Sequence, residues 1–103
     1  RFTVRGFALP RQAQLEANFP NPFNPETTIP LLLPAGRGMV KLSIYNVAGQ
    51  LVSVLVDQPM GPGRHNIHWD GRDQAGLWVG SGVYLYKMET NTAVQTRSMT
   101  LLK

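Results

Sequence analysis

Residues 40–57 read VKLSIYNVAGQLVSVLVD. In the first half Val40, Leu42 and Ile44 alternate with Lys41 and Ser43. Successive side chains on a strand point to opposite faces, so this two-residue period marks a strand with one buried face. Asn46 to Gln50 contains Gly49, and such a break between two apolar runs reads as a hairpin turn. Leu51 to Asp57 is apolar on both faces, which places it as a central strand. The segment predicts strand, turn, strand. No segment of the chain holds a helical period for two turns.

The same pattern extends outward. Upstream, Thr27 to Leu33 puts Ile29, Leu31 and Leu33 on one face, and Pro34 to Gly38 is a turn. Downstream, Gln58 to Gly63 reads as a loop, and His65 to Trp69 as a short strand with Ile67 and Trp69 on one face. Asp70 to Gly82 is the longest connection. Tyr84, Tyr86 and Met88 then alternate with Lys87 and Glu89, Asn91-Thr92 makes a tight turn, and Val94 to Leu102 closes the chain. Six or seven short strands with frequent turns predict an all-β fold, an immunoglobulin-like antiparallel β-sandwich. Trp69, Tyr84 and Tyr86 are its large core pieces.

Ahead of the first long strand lies a stiff strap. Residues 18–34, NFPNPFNPETTIPLLLP, hold five prolines. Proline has no N–H and forces the residue before it into extended geometry, so this segment cannot pair fully as a central strand. Asparagine side chains can replace the missing ladder bonds. Phe19 and Phe23 are placed to cap the end of the sandwich, which makes the strap a lid and an edge protector. Pro30 suggests that its own strand lies at an edge, with the missing N–H facing solvent.

Length and composition narrow the function classes. The chain has 103 residues, enough for one domain with a thin core. Residues 1–14 read as a linker or the tail of an upstream module, and 15–103 as the domain. The chain starts at Arg1 and shows no signal peptide or membrane span, so it reads as the end of a longer protein. There is no cysteine, which excludes disulfides, thiolate metal sites and cysteine nucleophiles. The net charge is +4, but lysines and arginines are scattered singly, so the clustered footprint of nucleic-acid binding is missing.

Motifs for chemistry are sparse. His65 and His68 are three apart on a strand, so they face opposite ways and cannot share a metal. Asp70 and Asp73, among glycines, offer oxygens for calcium, but the ligand number is short; Asx-turn bonds are the preferred reading. Ser43, Ser53, Ser81 and Ser98 lie in no nucleophile elbow, and no phosphate-cradling glycine loop precedes a helix. The domain is expected to be no enzyme and to need no cofactor. Trp78, in a loop, is the one residue that would serve sugar stacking.

Four stretches together carry a family resemblance: NFPNPFNPETTI (18–29), VKLSIYNVAGQLVSVLVD (40–57), GRHNIHWDGRDQAGLWVGSGVYLYKMET (63–90) and TRSMTLLK (96–103). In this order they resemble the C-terminal sorting domain of the type IX (Por) secretion system, and are similar to the immunoglobulin-like domain of flagellar hook-capping proteins. The resemblance covers residues 15–103 and implies a sandwich of about seven strands. It implies attachment to an upstream cargo domain in an exported protein of the Bacteroidetes or related phyla. The domain would pass through the periplasm, engage the outer-membrane type IX machinery and a sortase-like peptidase, and leave its cargo on the cell surface or secreted.

Residue by residue, Gly82 and Tyr84 match the family's G-x-Y motif and Lys87 its basic position. Ser98, Met99, Thr100, Leu101, Leu102 and Lys103 match the terminal stretch, the implied recognition element. Pro30 and Thr92 depart from the family's usual residues. Physically, a terminal strand with a free edge can add to a partner's sheet, or dimerise, with Lys103 fixing register. The competing expectation is a carbohydrate-binding or adhesive immunoglobulin-like module of a secreted enzyme. A hook-cap assembly role comes third.

Overall fold

The computed structural model describes residues 9–103. The first part of the expected linker, residues 1–8, lies outside the described residues. Seven strands follow in order: β1 (Gln14–Leu15), β2 (Thr27–Leu33), β3 (Gly38–Asn46), β4 (Leu51–Met60), β5 (Gly63–Trp69), β6 (Gly82–Glu89) and β7 (Val94–Leu101). They form two antiparallel sheets, β1-β2-β5 and β4-β3-β6-β7. Among the described residues there is no helix. The fold is the expected all-β, immunoglobulin-like sandwich.

The alternating apolar positions become the core. Ile29, Leu31 and Leu33 of β2 face Val40, Leu42 and Ile44 of β3 and Tyr84, Tyr86 and Met88 of β6, all buried. Met99 and Leu101 of β7 and Leu15 of β1 complete it. The turn after β3 is closed by Asn46, whose Oδ1 accepts from Ala48 N and Gln50 N, with Gly49 at φ 82°. A side chain with a Cβ rarely adopts that angle, so glycine belongs there.

Several expectations change. β4 is an edge strand, not a central one. It is apolar on both sides for two reasons. Its Val52, Leu55, Val56 and Met60 lie half-buried at the rim of the core. Its free edge is also covered by the 70–81 loop: Gln74 N donates to Val52 O, and Val54 N donates to Gln74 Oε1. Gln58 to Gly63 is mostly strand, since β4 runs to Met60 and β5 begins at Gly63. An edge strand can hold Pro59. Ser43, expected on a solvated face, is fully buried; its cross-strand neighbours on that face are the longer Val54 and Lys87.

Pro30 lies in the middle strand of its sheet and is buried. Its carbonyl accepts from Glu16 N, so its nitrogen also faces the β1 side. There the pairing is interrupted between Leu15 and Phe19, which is why a residue without an N–H is tolerated.

The segment leading into β2 is tied to the far sheet. Gln14, at the end of the expected linker, is already in β1, and Ala13 before it is buried. Gln95 of β7 accepts from Leu15 N and donates to Ala13 O, and Arg97 Nε donates to Leu15 O. These bonds lay β1 over β7. The Tyr86 hydroxyl donates to Glu16 O at 2.8 Å and accepts from Asn18 N at 2.9 Å. Tyr86→Phe would leave both backbone groups without that partner, and should cost about 1–3 kcal/mol in urea unfolding.

Burial also raises the Tyr86 phenol above the ordinary 10.0, opposed by the Asn18 N–H and the Arg97 charge. The unfolded phenol ionises first, so this stabilisation is complete below the unfolded pKa and is lost as pH rises through the folded one. The urea midpoint should fall above about pH 10, and less steeply in Tyr86→Phe.

Candidate functional site

The expected recognition element, Ser98 to Lys103, is the second half of β7 and the two residues after it. Its setting is made by the strap. Pro20, Pro22 and Pro25 follow cis peptide bonds. Asn18 Nδ2 donates to Thr27 Oγ1 and Pro20 O, and Thr27 Oγ1 donates to Pro20 O. Asparagine and threonine thus supply bonds that the prolines cannot. Phe23 is buried against Trp69, ring centres 5.7 Å apart, and caps the end of the core. Phe19 does not share that role: it is 50% exposed, because its backbone pairs with Thr28 and its ring stays outside.

The strap also fastens the terminal strand. Thr100 N donates to Asn21 Oδ1 (3.0 Å), Phe23 N to Thr100 O (3.0 Å), and Leu102 N to Phe23 O (2.9 Å). Lys103 N donates to Ser81 Oγ at 3.0 Å. The edge of β7 expected to be free is therefore occupied from Thr100 to Leu102. Thr96 and Ser98 face the same side by the two-residue period, and none of these strap bonds reaches them.

The other expected site residues separate into three groups. Tyr84, Met99 and Leu101 are buried and cannot meet a partner in the folded domain. Tyr84 stands edge-on to Trp69 and its hydroxyl donates to Gly80 O at 2.7 Å, closing the loop; Gly82 opens β6 at φ 151°. Lys87, Ser98 and Thr100 lie on the outer face of the four-stranded sheet, where Lys87 sits over the Tyr45 ring and 3.9 Å from Glu89. Leu102 and Lys103 project at the tip, both exposed.

At this tip the fold adds residues that spacing could not reveal. Trp78, 52% exposed, has the Arg72 guanidinium 4.2 Å from its ring centre and Lys103 Nζ at 5.8 Å. Exposed Leu77 is adjacent in the chain. These cations contact the ring that sugar stacking would need. Asp70 Oδ1 accepts from Arg72 N, and Asp73 Oδ1 from Ala75 N and Leu77 N. The carboxylates shape the loop as Asx turns, and Arg72 lies 3.9 Å from the other Asp70 oxygen. His65 Nε2 meets Gly61 O while His68 meets Glu26.

The profile of the FlgD Ig-like domain matches residues 23–93, most of the chain. The chain belongs to this family. Among solved structures it is similar to dimeric latent PorU from Porphyromonas gingivalis, with 26% identity and a TM-score of 0.73. That likeness covers 96% of this chain and 10% of PorU. PorZ, an essential surface component of the type IX secretion system of the same bacterium, is 20% identical with a TM-score of 0.58, over 88% of this chain and 11% of that one. The alkylpurine DNA glycosylase AlkC of Pseudomonas fluorescens, 15% identical with a TM-score of 0.55, covers 89% of this chain and 31% of its own, and shares the fold alone. No curated relative matches the chain. The expected resemblance to domains of the type IX system holds, and the chain spans about a tenth of the length of those two proteins.

Proposed function

We propose that residues 15–103 are a non-catalytic sorting domain. It directs an attached exported cargo from the periplasm through the type IX machinery to the cell surface or medium. The likeness to PorU along nearly the whole chain carries this reading. The FlgD Ig-like domain supplies the scaffold. Because the strap occupies the edge of β7 from Thr100, recognition uses side chains at the tip: Leu102 and Lys103 first, with Lys87, Ser98 and Thr100 on the adjoining face. The carbohydrate-binding alternative rests on Trp78 alone, whose ring is already in contact with Arg72.

The test is export of a fluorescent reporter fused between a signal peptide and residues 15–103, in a bacterium with a working type IX system. Removing Ser98 to Lys103 would also remove core residues Met99 and Leu101, so it reports folding as much as recognition. Leu102→Asp with Lys103→Glu leaves the core intact. The unaltered domain should place reporter on the surface, and the double variant should leave it in the periplasm. Equal surface reporter from both would sink the assignment to the tip.

A further inference from the structure

The two sheets do not match in width. Gln95 and Arg97 hold β1 over β7, so β2 and β5 cover the middle of the larger sheet and β4 has no strand opposite. Burial agrees: inward residues of β3 and β6 are sealed, while Leu55, Val56 and Met60 of β4 are only partly covered. The sandwich is one strand short beside β5.

The edge of β5 at that place is open. Thr28 exchanges backbone bonds with Phe19, and Pro30 O accepts from Glu16 N, so both turn their backbone groups away from β5. Opposed residues of an antiparallel pair either bond each other or both face away. Their partners His68 and Asn66, and Arg64 by the same period, therefore direct N–H and C=O outward. Among the described residues none of these three has a backbone partner on that side. The edges of β4 and β7, by contrast, are covered in part, by Gln74 at Val52 and Val54 and by the strap from Thr100 to Leu102. An uncovered edge is a template for strand addition.

A groove of about 540 Å³ runs between β4 and the end of β5, lined by Leu55, His68, Asp70, Arg72 and Asp73 among others. Arg72 stacks on Trp78 and lies 3.9 Å from Asp70, and His68 meets Glu26, so among the residues lining the groove two carboxylates stand against one guanidinium and Asp73 is the one without an ion pair. We infer that the β5 edge accepts an extended peptide segment of a partner protein. Its main chain bonds to Arg64, Asn66 and His68. Its alternate apolar side chains complete the core over Leu55, Val56 and Met60, and a lysine or arginine at its end lies beside Asp70 and Asp73. This surface adjoins the β7 tip at Arg72 but uses none of the residues assigned to sorting, and it stands whether or not the sorting role does.

The probe is a fluorescein-labelled peptide alternating threonine with valine or leucine and ending in lysine, titrated into the full chain and read by anisotropy. It should bind, and should outbind both a scrambled peptide and one ending in glutamate. Asn66→Pro removes one outward N–H at an edge position where proline is tolerated, and should weaken binding roughly tenfold. N-methylating the peptide amides that face β5 should do the same with the protein unaltered, which covers a folding failure of Asn66→Pro. Asp70→Asn with Asp73→Asn keeps the turn-forming oxygens and should abolish the preference for lysine over glutamate. Equal binding of the scrambled or N-methylated peptide would overturn the proposal. A dimer in sedimentation that Asn66→Pro dissolves would also overturn it, making a second copy the occupant.

Discussion

Trp69→Ala should lower the unfolding free energy by about 3–5 kcal/mol, a large part of the 5–15 kcal/mol available to a domain of this size. Trp69 is 1% exposed and its ring meets Phe23 at 5.7 Å and Tyr84 at 5.6 Å. Its Nε1 donates to Arg72 O at 3.0 Å. One side chain thus joins β5, the strap, β6 and the long loop. Alanine would remove the apolar volume and leave a carbonyl without its donor. Trp69→Phe should recover most of the loss, because volume is the larger part of the cost. The check is the urea midpoint of the three proteins. A cost under about 1 kcal/mol for alanine would mean that this end of the sandwich collapses around the gap.

The sequence pattern shows where this fold is legible. β3 and β6 lie inside their sheet with one face in the core, so Val40-Leu42-Ile44 and Tyr84-Tyr86-Met88 carry a clean two-residue period. β4 misleads because apolar residues at the rim of a core look like those of a central strand. Pro30 misleads because the bulged pairing opposite it depends on Glu16 and Phe19, more than ten residues away in the chain. The site was legible only in part. The terminal stretch could be read as a strand, but not which of its groups were taken: Asn21 and Phe23 reach Thr100 across nearly eighty residues. The Arg72–Trp78–Lys103 stack likewise joins a loop to the end of the chain and leaves no periodic trace.

Phe23→Ala should cost about 3–5 kcal/mol as well, but with a different local signature. Trp69 acts through the core and one bond to the loop at Arg72 O, with no hold on β7. Phe23 is both a core plug and the middle of the strap's latch, its N–H and C=O held by Thr100 and Leu102. Without the ring, nothing buried fixes that backbone, and the latch should open below the global unfolding energy. Native-state hydrogen exchange should then show the Thr100 and Leu102 amides losing protection ahead of the central β3 and β6 amides. Asn21→Ala removes one latch bond with the ring in place; it should cost about 1 kcal/mol and release Thr100 alone. Uniform loss of protection in Phe23→Ala would mean that strap and sandwich unfold as one unit. The same pair of variants bears on sorting. If the partner reads Leu102 and Lys103 as presented by the latch, surface reporter should fall in Phe23→Ala by more than its unfolded fraction explains. If the partner instead adds a strand to β7, opening the latch exposes the very groups it needs, and export should rise.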